Sequence, residues 1–227
     1  MVTAQICVEN AIILIIPNKK ELMIQAISTT VTFDEFIAGY PERSEYHYEL
    51  HNGEIVEMPK PTGKHSRVAG FLIAELNFEI RRLKLPYFIP KESVIKSARD
   101  QSGYEPDVIV IDEGRVIDNP RWEKESVITQ GSSVPLVVEV VSTNWSDDYA
   151  LKLEEYEILG IYEYWIIDYL GLGGRRFIGN PKRPTISIYQ LVEGEYQLHQ
   201  FRENQRIESL IFPGLNLTAL EIFQAGK

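Results

Sequence analysis

The chain has 227 residues, 44% of them hydrophobic and 25% charged, with a formal net charge of −10. That balance allows a sizeable apolar core and excludes a protein that coats nucleic acid non-specifically, while leaving room for a local basic surface. Cys7 is the only cysteine, which excludes an intramolecular disulfide and a cysteine-based zinc site and points to a reducing, cytoplasmic setting.

Residues 1–30 are expected to form an N-terminal extension and 31–227 a single domain. The apolar run Ala11 to Ile16 falls far short of the roughly 20 residues of a membrane helix, and no basic segment precedes it. It suits a peripheral strand, an oligomer contact or an upstream extension. Thr32 followed by Glu35 has the spacing of a capping box and predicts a short helix. Asn52-Gly53 between Tyr46–Leu50 and Glu54–Met58 predicts a hairpin, because both residues tolerate the positive φ of a type I′ turn. Val68, Leu72, Leu76, Ile80 and Leu83 recur at helical spacing, so Ser66 to Lys84 is expected to be a long helix ending before Pro86.

Three strands are expected next, over Phe88–Lys96, Pro106–Ile111 and Pro135–Ser142. The last two are nearly unbroken branched runs of the kind buried on both sheet faces. Asp148 to Leu159 predicts a helix stopped by Gly160, and Tyr162 to Asp168 another buried strand. A loop after Gly171 leads to a hairpin of Thr185–Val192 and Tyr196–Phe201, then a short strand and a final helix near Leu217–Phe223. The fold class is mixed α/β (α+β), with core order α-β-β-β-α-β, a mixed central sheet, an N-terminal hairpin and a C-terminal one.

Two carboxylates interrupt apolar strands. Glu139 sits inside Pro135-Leu136-Val137-Val138-Glu139-Val140-Val141, and Asp107 opens Pro106-Asp107-Val108-Ile109-Val110-Ile111. A buried, unpaired carboxylate costs several kcal/mol or becomes neutral. Each therefore needs a positive partner or an open cleft. Two strands of one sheet can bring such groups to the separation that a hard divalent cation bridges. Taken singly, Asp107 is equally a strand-start residue and Glu139 a structural ion-pair partner. Lys152 lies on the side of its helix that carries Tyr149, Leu153, Tyr156 and Leu159. It is either a lysine snorkelling to water or an ammonium stabilising charge in a transition state.

The element order, Pro106-Asp107 and Glu139-Val140-Val141 resemble the PD-(D/E)XK nuclease superfamily. Tyr48-Glu49-Leu50 with Gly53 to Met58, Val138 to Ser142, and Lys152…Tyr156…Gly160-Ile161…Glu163 to Asp168 resemble more closely a bacterial family described as putative restriction endonucleases. The resemblance covers roughly residues 30–223 and implies a restriction-endonuclease-like core with Asp107 and Glu139 as ligands of a divalent metal. Its lysine would fall at position 141, which is valine, so Lys152 is expected to supply the ammonium from the helix.

On this reading the function is DNA cleavage with Mg²⁺ or Mn²⁺ held by Asp107, Glu139 and the Val140 carbonyl, and two-strand cleavage makes a homodimer one expected arrangement. Glu54, across the hairpin from His51, is a candidate third acid. Pro59 to Arg99 holds nine basic residues against three acidic ones, and Arg175 to Arg183 is a second basic stretch without acids. Lys64, His65, Arg67, Arg81, Arg82, Arg175 and Arg176 are therefore candidate DNA contacts, although His65 suits helix capping better. His47 and His51 cannot share one ion, being about 13 Å apart in an extended strand. The competing class is a nucleic-acid-binding or assembly protein on the same fold with weak or no catalysis. A glycosidase is disfavoured because the carboxylates come with a lysine and no aromatic sugar platform. Serine-triad, Walker and Rossmann chemistry lack their motifs, since Gly171-Leu172-Gly173-Gly174 is expected to lead into a basic loop and hairpin instead of a helix.

Overall fold

The computed structural model describes residues 5–8, 11–14, 27–28, 30–41, 46–98 and 101–227. In chain order they form β1 (Gln5–Val8), β2 (Ala11–Leu14), β3 (Ile27–Ser28), α1 (Phe33–Gly39), β4 (His47–His51), β5 (Glu54–Met58) and α2 (Gly63–Leu83). Next come β6 (Tyr87–Phe88), β7 (Val94–Lys96), β8 (Gly103–Tyr104), β9 (Val108–Asp112), α3 (Trp122–Glu125), β10 (Val127–Ile128) and β11 (Leu136–Val140). The chain ends with α4 (Lys152–Leu159), β12 (Glu163–Asp168), α5 (Arg175–Ile178), β13 (Thr185–Val192), β14 (Glu195–Phe201) and α6 (Ala219–Ala225). Ile15, Ile16 and Arg99, which belong to the apolar and basic stretches noted above, lie outside the described residues.

The branched runs become the middle of a six-stranded mixed sheet, β14-β13-β12-β11-β9-β6, in which β11 runs parallel to β12 and antiparallel to β9. Alternation along β11 divides its side chains between two cores. Leu136, Val138 and Val140 pack with Val68, Leu72 and Leu76 of α2, whereas Val137 and Val141 join Tyr149 and Tyr156 on the opposite side. A second sheet, β10-β7-β8-β4-β5, carries the Asn52-Gly53 hairpin, whose φ values of 50° and 86° fit the expected turn.

Three boundaries differ from expectation for local reasons. The predicted strand Phe88–Lys96 is two strands, β6 in the six-stranded sheet and β7 in the five-stranded one. Pro90 lies between them and has no N–H to offer a ladder. Helix α2 starts at Gly63, earlier than Ser66, because the Thr62 hydroxyl accepts from the His65 N–H at 3.3 Å. The helix expected from Asp148 opens instead with a π-helical turn, Asp147–Leu151, before α4. Near the C-terminus the short strand reduces to a single bridge between Arg206 and Thr218, and Thr218 with Glu221 forms a capping box on α6.

The C-terminal end of α4 is seated against a glycine. A Cβ on Gly131 would stand 2.3 Å from the Leu159 carbonyl oxygen, which is backbone and cannot step aside cheaply. Gly131→Ala is expected to lower stability by about 1–3 kcal/mol, the cost of overpacking, as an earlier midpoint in urea denaturation. An unchanged midpoint would show that α4 shifts without strain.

Candidate active site

Antiparallel pairing of β9 with β11 sets Val108 opposite Val138, so the next rung outward brings Asp107 opposite Glu139. The rung closes through Asp107 itself. Its Oδ2 accepts from the Val140 N–H at 2.8 Å, and its own N–H lies 3.5 Å from Glu139 Oε2. The pleat turns Glu139 toward α4, on the side of Val137 and Val141.

Lys152 meets it there. Only 2% of this residue is exposed, so it is not a snorkelling lysine. Its Nζ lies 3.0 Å from Glu139 Oε1, 2.9 Å from Glu49 Oε1 and 3.7 Å from Asp148 Oδ1. The Tyr156 hydroxyl donates to Glu139 Oε1 at 3.3 Å. The π turn belongs to this arrangement, because it seats the buried Asp148 one turn before Lys152 on the same side.

Burial opposes every charge in the cluster, and the neighbours decide which survive. For Lys152, desolvation favours the neutral amine, but Glu139, Glu49 and Asp148 together outweigh it and hold the ammonium well above the usual lysine range. Burial also raises Glu49, yet Lys152 and His51 bring it below the usual carboxylate range. Lys152 pulls Glu139 and Asp148 down as well, but not by enough. Burial, reinforced by the surrounding carboxylates, pushes Glu139 well up and Asp148 up to about 7. One ammonium thus faces Glu49, Glu139 and Asp148, with Asp107 beside Glu139, a cluster short of positive charge.

The cluster opens into a cleft of about 440 Å³, within the range of ligand sites, whose lining includes Glu49, His65, Asp107, Glu139, Asp148 and Lys152. His65 reaches it from the first turn of α2. The helix cap is Thr62, not His65. The ring Nε2–H instead donates to the Val140 carbonyl at 2.8 Å and lies 3.3 Å from Asp107 Oδ2. Burial is the largest single influence and lowers its pKa, but Asp107, the Val140 carbonyl and Asp148 together draw it above the ordinary histidine value.

Glu54 is not brought in. It shares a sheet face with Glu49, but it pairs with His51 at the turn end of the hairpin, whereas the cleft lies at the His47 and Met58 end. Glu49, which is not among the expected acids, is the hairpin acid that joins the cluster, also accepting from His51 Nε2 at 2.8 Å. His47 pairs with Glu105 at 3.0 Å instead of sharing an ion with His51. Among the basic candidates, Lys64 and Arg67 lie on the first turn of α2 beside His65, and Arg67 donates to the Lys227 carbonyl at 2.8 Å. Arg81 and Arg82 lie at the far end of α2, roughly 24 Å away at the rise of an α-helix. There Arg82 is tied to Glu79. Arg175 and Arg176 are exposed on α5 and do not line the cleft, although Leu172 of the preceding loop does.

The donor set suits a hard divalent cation. Asp107 has a side chain 24% exposed to the cleft. Glu139 Oε2 carries only the long contact from the Asp107 N–H, and the surplus of carboxylates favours a bound cation. Among the described residues no three His, Cys, Asp or Glu side chains converge to hold a metal alone. An ion would rest on two carboxylates, a carbonyl and water, the partial protein shell that Mg²⁺ tolerates.

A mixed sheet with carboxylates at the meeting ends of two central strands, and a lysine facing them, has the architecture of the restriction-endonuclease-like nucleases. The fold comparison agrees: the crystal structure of "a putative nuclease belonging to DUF820" from Anabaena variabilis is similar with a TM-score of 0.66 at 20% identity, covering 87% of this chain and 99% of that one. Residues 33–220 match the family Uma2, "Putative restriction endonuclease", and the chain belongs to that family. No curated protein matches the chain. Among the described residues no helix is long and apolar enough to cross a membrane.

Proposed function

We propose that the protein is a divalent-metal-dependent endonuclease that hydrolyses DNA phosphodiester bonds. One observation carries the reading. Asp107 and Glu139 meet on one rung of a buried sheet with the Lys152 ammonium 3.0 Å from Glu139, all in one open cleft.

Asp107, Glu139 and the Val140 carbonyl would hold Mg²⁺ or Mn²⁺. The bound ion supplies Lewis-acid activation of a phosphate and of water. The chain's own residues do the rest. Glu49 and Glu139 hold the Lys152 ammonium at the cleft wall, where a fixed positive charge stabilises negative charge developing on the phosphate. Since its pKa is raised, Lys152 acts as a cation and not as a base. Lys64 and Arg67, on α2 to either side of His65, would contact flanking phosphates. Two such sites in a homodimer would cut both strands.

One observation favours a weaker enzyme or a binding protein on the same fold: the Val140 carbonyl, counted as a ligand, accepts a hydrogen bond from His65. Incubation of the purified protein with plasmid and oligonucleotides, with Mg²⁺ or Mn²⁺ and with chelator, separates the two. Cleavage that requires metal and stops with chelator is expected. Binding without metal-dependent cleavage would favour the alternative.

A further inference from the structure

A second cavity, of about 300 Å³, adjoins the cleft, and Tyr169 and Leu170 line both. The connection follows from the sheet. These residues continue directly from Asp168 at the end of β12, whose parallel neighbour β11 carries Glu139 and pairs Val140 with Ile167. The two hollows therefore share the wall that Tyr169 and Leu170 form beyond β12.

Its walls and rim differ in character. Leu170, Leu220 and Phe223 make an apolar side, and Leu170 is 52% exposed, a large apolar side chain left open to water between the two hollows. The rim carries Lys64, Arg183, Arg202 and Lys227 against one acidic side chain, Glu203. Arg202 is held rigidly by neutral acceptors: Thr185 Oγ1 at 2.9 Å, Gln200 Oε1 at 3.0 Å and the Ile178 carbonyl at 3.3 Å. Those bonds fix its position without cancelling its charge. Arg183 approaches Glu203 only at 3.8 Å, with both side chains more than half exposed, a pairing of little strength. In a protein of net charge −10, four basic side chains around one apolar hollow form a local exception.

Taking the nuclease reading as its basis, we propose that this cavity is a subsite for one unstacked nucleotide of a single-stranded DNA segment adjoining the cleavage site. The base lies against the apolar wall, and its phosphates meet Lys64, Arg183 and Arg202. Both parts of the hollow are used by such a ligand, since a base has an apolar face and its backbone is anionic. A base inside a duplex cannot present that face without leaving the stack. The preferred substrate is therefore DNA with a single-stranded or locally unpaired segment beside the cut.

The test uses the full-length protein in chelator, so that binding is read without cleavage. Fluorescence anisotropy compares a labelled short oligothymidylate with a duplex of equal length, over a series of salt concentrations. The single strand is expected to bind more tightly. The variant carrying Lys64→Glu and Arg183→Glu, both on exposed side chains, should bind it at least about ten-fold more weakly. Its salt slope should fall by roughly 1.4, at about 0.7 for each single-strand phosphate that the protein no longer neutralises. An aminopurine base in the oligonucleotide should change its fluorescence on binding as it leaves its neighbours for the apolar wall. Unchanged affinity and slope in the variant would overturn the subsite, and so would duplex binding that is stronger than single-strand binding. Equally tight binding of free thymidine monophosphate would mark a mononucleotide site instead and overturn the strand assignment. Because no metal is present, a missing nuclease activity leaves this result standing, and a failed subsite leaves metal-dependent cleavage untouched.

Discussion

Asp107→Asn is expected to abolish Mn²⁺ binding and to slow DNA cleavage by a factor on the order of 10²–10³, the scale for losing a preorganised electrostatic group, while the protein still folds. Asparagine is nearly isosteric and keeps an oxygen that can accept from the Val140 N–H, so the rung joining β9 to β11 survives. What disappears is one of two anionic donors, and Mg²⁺ or Mn²⁺ held by few protein ligands depends on each. Calorimetric titration with Mn²⁺ reads the binding, a plasmid assay the cleavage, and thermal unfolding without metal the fold. Binding that persists in the variant would remove Asp107 from the metal site. Cleavage that persists although Mn²⁺ binding is lost would remove the metal from the reaction.

The central sheet is readable in the sequence because its two diagnostic strands bury both faces. Val108–Asp112 and Leu136–Val140 have no polar alternation to mistake for anything else, and a carboxylate within such a run marks a partner in advance. Helix α2 and the Asn52-Gly53 hairpin are equally plain, one from its four-residue apolar spacing and the other from its turn chemistry. The division at Pro90 is harder. A strand pattern on either side of a proline does not show that the halves join different sheets, which depends on pairing partners far away in sequence.

Glu49 illustrates what local pattern hides. His47, Glu49 and His51 alternate with Tyr48 and Leu50, the signature of a solvated strand face, yet Glu49 is 1% exposed because Lys152 and Asp148 close over that face. The same alternation makes Glu54 look equivalent. Only the end of the hairpin at which the cleft opens distinguishes them. The role of His65 is hidden for a similar reason. Its ring bonds to the carbonyl of Val140, 75 residues later, whereas its sequence neighbours suggest only the helix start. The π turn before Lys152 has no sequence mark that we can identify, although it helps to set where the ammonium lies.

Lys152→Met is the substitution on which the choice between enzyme and inactive binder turns. Methionine keeps most of the apolar stem and removes the charge. If the ammonium stabilises the transition state, cleavage should slow by a factor on the order of 10² or more, at matched Mn²⁺ occupancy. The variant also leaves Glu49, Glu139 and Asp148 without their shared cation, and breaking a buried ion pair this way costs about 3–5 kcal/mol. Stability must therefore be separated from catalysis. The double variant Lys152→Met, Glu49→Gln removes one of the stranded carboxylates and should recover part of the lost stability in urea denaturation, without recovering cleavage. Glu49→Gln alone leaves Lys152 pinned by Glu139 at 3.0 Å, so its cleavage should fall less than that of Lys152→Met. Restored stability with restored cleavage would reduce Lys152 to a counter-ion of the buried acids. Restored stability with cleavage still lost would place its charge at the reacting phosphate.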